Sequence, residues 1–261
     1  MPRPVARLTL AIAVCMLVVE RSPAQSPLPG PVFEVATIKR TDPSFGGVLM
    51  SLAGGRFSAT GFSLKDLIAF AYAVDDIQIS GGPNWFATDR YDVMGKPETE
   101  GRLSRDVARV MLRALLSDRF QLKVHFETKE MPVYVLTVEK NGSKMKPRTN
   151  GDGGETTRLT FHGAEATGRN VSAGTLAEEL QAMVLDRPVL DKTGLTANFD
   201  FSLRWRPESG QFGGTGASVA GDPNDPDIFT AVREQLGLKL ESRKDPAKII
   251  AVDAAMRPSD N

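Results

Sequence analysis

The sequence predicts an α+β protein of two tandem similar halves, each built from two helix–strand–strand units with mainly antiparallel sheets. Three observations predict it. Amphipathic helical runs are each followed by two short runs with strand character. The helix starts and the charged turns recur in the same order in both parts of the chain. A polar, glycine-rich stretch, Lys140–Glu155 (KNGSKMKPRTNGDGGE), separates the parts as a linker would. The halves are expected at 32–147 and 159–256, joined over 148–158, with the repeated units themselves starting near residue 55 in the first half.

Taken in order, Val32–Lys39 (VFEVATIK) alternates apolar and polar residues and leads as a strand. Ser63-Leu-Lys-Asp66 opens the first helix, with Leu64, Leu67, Ile68 and Ala71 on one face. A hydroxyl at the N-cap and an acid three residues on form a capping box. Two extended runs follow, Gln78–Ser80 and Arg90–Met94, with the turn Gly81-Gly82-Pro83 after the first. Ser104–Ser117 is a second amphipathic helix, carrying Val107, Val110, Met111, Ala114 and Leu115 on one side. Phe120–Phe126 then alternates at period two, and a charged turn at Thr128–Pro132 leads into the β-rich run Val133–Glu139.

The second half repeats this order. Thr175-Leu-Ala-Glu178 opens a helix bearing Leu176, Leu180, Met183 and Val184. Pro188–Leu190 and Asn198–Trp205 follow, around the turn Thr193-Gly194. Asp225–Leu236 is the next helix, then Leu238–Ser242, a turn at Arg243–Pro246, and the strand Ala247–Asp253. The turns ETKEMP and ESRKDP are both charged and both close on a proline before an apolar strand. Chance likeness among short αββ segments is the bland alternative; the shared capping and turn chemistry favours duplication. Ser209–Pro223, glycine-rich and without apolar periodicity, is a loop within the second half.

Residues 1–25 read as a secretory signal peptide. Arg3 and Arg7 form a basic start, Leu8–Val19 is a 12-residue, mostly apolar run, and Ser22-Pro23-Ala24 supplies small residues for cleavage. The run falls short of the ~20 apolar residues that a bilayer span takes, which disfavours an uncleaved anchor. Cys15, the only cysteine, lies inside it, so the mature chain has no disulfide, no thiol nucleophile and no zinc thiolate. Bulky Val14 before Cys15, and apolar residues after it, argue against lipidation there. Arg3, Arg7 and Arg21 leave with Glu20, so the mature chain keeps 29 of 32 basic and 31 of 32 acidic residues, a net charge of −2. That balance excludes a nucleic-acid surface built on basic excess. The roughly 235 residues that remain suffice for one large or two small hydrophobic cores.

Few catalytic patterns survive inspection. The histidines are His125 and His162, and no H-E-x-x-H, G-x-G-x-x-G or Walker loop occurs. His125 lies on the face of its strand opposite the phenylalanines and reads as an exposed or hydrogen-bonded histidine ahead of a catalytic base. Ser143-Lys-Met-Lys146, Lys192-Thr-Gly194 and Ser259-Asp-Asn261 match the three motifs of serine β-lactamases. Their chain order is wrong, and no helix starts at Ser143 to hold its lysine, so an acyl-serine enzyme is rejected. Asp222-Pro-Asn-Asp225-Pro-Asp227 fails the calcium-loop pattern at Pro226, and helix capping by Asp225 accounts for it without metal. Trp85, set beside Asn84 in the turn Gly81–Trp85, is either a binding anchor or a lid over its half's core. Trp205, on the strand after Phe199 and Phe201, reads as core.

The blocks FEVATIK, FSLKDLIAFAY, SGGPNW, LLSDRFQLKVHFETKEMPVYVL, RPVLDKTGL and EQLGLKLESRK carry a family likeness. The chain resembles the soil-associated family of exported proteins of unknown function, found mainly in Acidobacteria, over nearly the whole mature length. The resemblance implies secretion and occasional fusion to membrane metallopeptidase-type sensor proteins; it implies no catalytic residue. The helix–strand–strand units also look like the small modules at the N-termini of secretins and TonB-dependent receptors, a likeness of fold alone.

The expected protein is therefore secreted or periplasmic, without a membrane span after signal cleavage, without cofactor or metal and without nucleic acid as partner. Its expected role is a non-enzymatic interaction module for an envelope or extracellular protein, peptide or glycan, with Trp85, Asn84 and His125 as candidate contacts. The alternative is an envelope hydrolase of unfamiliar type that uses His125 with a nearby carboxylate such as Glu127 or Glu130.

Overall fold

Among the described residues, four amphipathic helices and twelve strands account for the apolar periodicities. The computed structural model describes residues 30–98, 101–148, 157–208, 211 and 221–259. The signal peptide, most of the expected linker and most of the Ser209–Pro223 loop lie outside the described residues. The helices are α1 (Leu64–Tyr72), α2 (Arg105–Arg119), α3 (Ala173–Met183) and α4 (Ile228–Leu236). The strands are β1 (Phe33–Arg40), β2 (Leu49–Ser51), β3 (Phe57–Ser63), β4 (Ile79–Gly81), β5 (Arg90–Pro97) and β6 (Lys123–Val138). The rest are β7 (Lys146–Pro147), β8 (Arg158–Phe161), β9 (Glu165–Ser172), β10 (Val189–Asp191), β11 (Asn198–Arg204) and β12 (Leu238–Ala254). No helix among the described residues is long and apolar enough to cross a membrane.

The strands form three four-stranded sheets with orders β1-β5-β3-β2, β10-β6-β12-β4 and β7-β11-β9-β8. Pairing is antiparallel throughout, except that β4 runs parallel to β12 and β10 parallel to β6. The two strands after each helix are thus not a pair. After α1, β4 joins the central sheet while β5 joins the first; after α3, β10 and β11 divide between the central and third sheets in the same way.

The expected turns at Thr128–Pro132 and Arg243–Pro246 are not turns. They are the middles of the two longest strands, which pair with each other from Leu238 opposite Val138 to Val252 opposite Val124. Proline normally breaks such a ladder by removing a donor. Here Tyr134 N–H bonds Pro188 on the side away from β12, and strand alternation turns the nitrogen of Pro132 to that same side. On β12, Val252 C=O accepts from Gly82 on the side away from β6, which turns the nitrogen of Pro246 outward likewise. Neither proline costs the ribbon a cross-strand bond.

The ribbon serves both cores. Seventeen residues of β12 span ~57 Å at the usual rise. At one end its Leu238 and Leu240 pack with Leu136, Trp205 and the faces of α3 and α4. At the other its Ile250 and Val252 pack with Phe57, Tyr91, Leu112 and the face of α1. Trp205 is fully buried, as its strand position predicts.

Local chemistry fixes the helix starts. Ser63 caps α1 with the expected capping box to Asp66, and Ser104 caps α2. Ser172, not Thr175, caps α3: its Oγ accepts the Thr175 N–H, so the helix begins one turn earlier than its apolar spacing indicated. Asp227, not Asp225, caps α4 by accepting the Phe229 and Thr230 N–H groups, which holds its carboxyl below the usual range. Two residues before Ser63, Gly61 adopts φ +77° and its N–H donates to Asp92 at 3.1 Å. A Cβ there would lie 2.2 Å from the carbonyl of Gly47. Two residues before Ser172, Asn170 adopts φ +55° and its N–H donates to Asp200 at 2.8 Å. Both lie at register shifts in their sheets.

Because the ribbon is shared, Ile250→Ala and Leu136→Ala are each expected to cost about 2–5 kcal/mol and to shift a single urea transition. Tryptophan fluorescence, which Trp85 reports from the first core and Trp205 from the second, should coincide with far-UV circular dichroism in both variants.

Candidate functional site

His125 stands on β6 opposite Ala251, and Glu127 follows two residues later on the same face. The register shift near the end of β12 leaves Asp253 without a paired residue, and its Oδ1 lies 2.8 Å from His125 Nδ1. Glu127 Oε1 lies 2.9 Å from Nε2. Both ring nitrogens therefore face carboxylates, an arrangement that only the imidazolium satisfies with two donors. The Asp253 hydrogen bond first, then that of Glu127, raises the His125 pKa above its ordinary value. A ring held in this way clamps the end of β12 to β6. It leaves no free nitrogen to take a proton from a nucleophile. All three side chains are about half exposed.

Trp85 packs against the first core, and the guanidinium of Arg257 lies 5.0 Å from its ring centroid. Arg257 is held in turn by Asp89 at 2.8 Å. Asn84 beside it is exposed. The short stretch Asp253–Arg257 thus grips His125 at one end and covers Trp85 at the other, with Met256 N–H tied to Phe120 C=O between them. The structure brings the three sequence-flagged residues to one end of the central sheet.

The β-lactamase-like pieces have other work. Ser143 Oγ accepts the Met145 N–H at 3.2 Å and donates to Leu236 C=O at 3.4 Å, while Lys144 Nζ donates to Glu234 C=O. This segment is pinned to the end of α4 and is not part of a free linker. Lys192 Nζ binds both oxygens of Asp245, at 2.7 and 2.9 Å, in the middle of the ribbon. That bond, with Arg243 behind it, holds the Asp245 carboxyl below the usual range. Among the described residues no group of three or more His, Cys, Asp or Glu is placed to hold a metal ion.

A different site was not legible in the sequence. An open cleft of about 1260 Å³ lies between α2 and α3, bordered by Leu52–Gly55, Gly101–Asp106, the start of α3 and β8. Most of the residues that line it carry hydroxyl, amide or charged groups, interspersed with Leu52, Leu103 and Leu159, and none of the described lining residues is aromatic. Ion pairs between α2 and α3 cross it: Arg105 with Glu179, and Arg109 with Glu178 at 3.0 Å, Arg109 also meeting Asp106 at 3.3 Å. Gln181 Nε2 of α3 also donates to Gln78 Oε1, just before β4, at 3.3 Å. Arg109 is largely buried, and its Nε has no hydrogen-bond partner. Arg102 and Arg158 line the cleft without an ion-pair partner among the described residues. The one sequence signal for the site was the i, i+4 arginine pair on α2 against adjacent glutamates on α3; which helix faces which is a tertiary fact.

Fold and cleft together define an α+β protein whose two parts enclose an open polar cleft. A family model described as protein of unknown function (DUF3738) matches residues 65–255, and the chain belongs to that family. No curated protein and no solved structure matches the chain.

Two outcomes are expected here. The raised His125 pKa means that its clamp stabilises the fold fully below the unfolded histidine value of about 6.5 and loses that contribution as pH rises through the folded value. The melting-temperature gap between wild type and His125→Gln should be largest near pH ~5.5 and close in alkali. Ser143, lacking an activating base, should form no covalent adduct with a fluorescent penicillin, as denaturing gels would read out.

Proposed function

We propose that the chain is an exported, non-enzymatic binding module of the periplasm or extracellular space, built by duplication, whose ligand sits in the cleft between the halves. The cleft carries this reading. It is open, polar and walled by both halves, and fixed ion pairs hold its sides without filling it. Such a space suits a polar partner, whether protein, peptide or glycan, better than a small apolar ligand. Export rests on the signal-like residues 1–25 and on the soil-associated exported family that the sequence resembles.

Duplication is supported by the matching strand orders β1-β5-β3-β2 and β7-β11-β9-β8, element for element. It is supported further by the equivalent hydrogen bonds from left-handed Gly61 and Asn170 to Asp92 and Asp200, each two residues ahead of a capping serine. On this reading the halves exchange strands, β4 pairing with the last strand of the second half and β10 with the last strand of the first.

The hydrolase alternative has one observation in its favour, the Glu127–His125–Asp253 line. Both imidazole nitrogens are occupied there, so the binding reading is preferred. In a pull-down from envelope and culture-supernatant extracts by the immobilised mature chain, Thr160→Trp, which fills the cleft from an edge strand, should lower capture several-fold. Trp85→Ala should lower it less, because Arg257 already covers that ring; circular dichroism controls for folding. Loss of capture in Trp85→Ala with none in Thr160→Trp would move the binding face to the Trp85 turn. Turnover of an ester or peptide substrate that disappears in His125→Ala would replace binding by hydrolysis.

A further inference from the structure

We infer that the cleft takes an acidic peptide in extended conformation, which adds a strand to β8 and sets its carboxylates against Arg158 and Arg102. This rests on the cleft being the ligand site and goes on to name the ligand's chemistry.

The first observation is the open edge. Among the described residues β8 is the outer strand of its sheet, paired to β9 on one side only, and Arg158, Leu159 and Thr160 line the cleft. Backbone N–H and C=O groups on an unpaired edge are a template for another extended chain. The backbone pair of His162 with Glu165 turns the N–H and C=O of Arg158 and Thr160 toward β9 and leaves those of Leu159 and Phe161 on the open edge. The Leu159 and Phe161 side chains pack on the second core, and those of Arg158 and Thr160 lie on the opposite face, beside the side chains of an added strand. The edge strand of the first sheet, β2, runs directly into Leu52–Gly55, another part of the same lining. A peptide longer than the four residues of β8 therefore has further wall to follow.

The second observation is the sign of the charge. Glu178, Glu179 and Asp106 are met by Arg105 and Arg109, two guanidinium groups for three carboxylates. Arg102 and Arg158 have no ion-pair partner among the described residues, so the described lining holds four guanidinium groups against three carboxylates. Guanidinium pairs with carboxylate through two parallel N–H···O bonds, which selects aspartate and glutamate side chains over neutral ones. The third observation separates peptide from glycan. Sugar rings are gripped mainly by stacking on aromatic faces, and the described residues of this lining include none, whereas an edge strand offers backbone pairing that only a peptide can return.

The test uses the mature chain with three fluorescein-labelled probes: a peptide alternating Glu and Thr, its Lys–Thr counterpart, and an oligogalacturonate. Fluorescence polarisation at low salt should show binding of the Glu–Thr peptide alone, weakening as salt is added. Arg102→Gln and Arg158→Gln should each weaken it about three- to tenfold, the size of one partly exposed charged contact. Hydrogen exchange at Arg158–Phe161 should slow on binding, a response that simple charge attraction does not produce. Equal binding of the Lys–Thr peptide, indifference to both arginine variants, or unchanged exchange at β8 would overturn the inference. Oligogalacturonate binding in place of the peptide would overturn it in favour of an acidic glycan. If the Glu–Thr peptide fails while Thr160→Trp still lowers capture from extracts, the ligand class falls and the cleft remains the binding site.

Discussion

The antiparallel pairing of β6 with β12 is the interaction on which the rest of the structure depends. Each strand is long enough to leave one hydrophobic core and enter the other. The face that buries Leu238 and Leu240 in the second core is the same face that buries Ile250 and Val252 in the first. Alternation makes this possible: residues of even number lie on one side along the whole ribbon, so one register satisfies both cores. A one-residue slip would expose both sets at once. The strands β4 and β10 extend the same sheet at opposite ends, Ile79 packing with Ile250 and Val252 in the first core and Val189 with Leu136 and Leu238 in the second.

The cleft follows from this arrangement. With both cores anchored to one ribbon, α2 and α3 come to face each other at a separation that side chains, not backbone, must bridge. Arg105–Glu179 and Arg109–Glu178 cross that gap. Partly exposed ion pairs of this kind contribute about 1 kcal/mol each, far less than the apolar burial at either end of the ribbon. Their role is to set the orientation of the two walls. The ribbon's own charged features are structural in the same sense: His125 between Asp253 and Glu127 near one end, Asp245 between Lys192 and Arg243 at the middle.

Much of the fold was legible in the sequence because it is local. Hydrophobic spacing located all four helices, and the serine at 63 with the acid at 66 identified a cap to the residue. The misreadings have physical causes. At Ser172 the true cap lies at the end of a strand, where the pattern of β9 masks it, and Thr175 offered a second hydroxyl with an acid three residues on. At Thr128–Pro132 and Arg243–Pro246, charge and proline mimic turn chemistry. Both prolines are tolerated mid-strand because their nitrogens point to the unpaired outer side, a fact set by the partner strand and invisible in either segment alone. The pairing of β4 with β12 and of β10 with β6 has no local signature for the same reason. Of the candidate contacts, Trp85 and His125 drew notice as rare residue types. The cleft arginines did not, because an arginine without a partner is recognised only once every neighbour is known.

The most direct measurement is native-state hydrogen exchange across the whole chain. If one shared ribbon holds both cores, the slowest amides of β6, β12 and the core-facing turns of α2 and α4 should all exchange with one common free energy, that of global unfolding. Amides of the second core opening at a markedly lower free energy, while those of the first stay protected, would contradict the account, because it would mean that the first core stands without the far end of the ribbon.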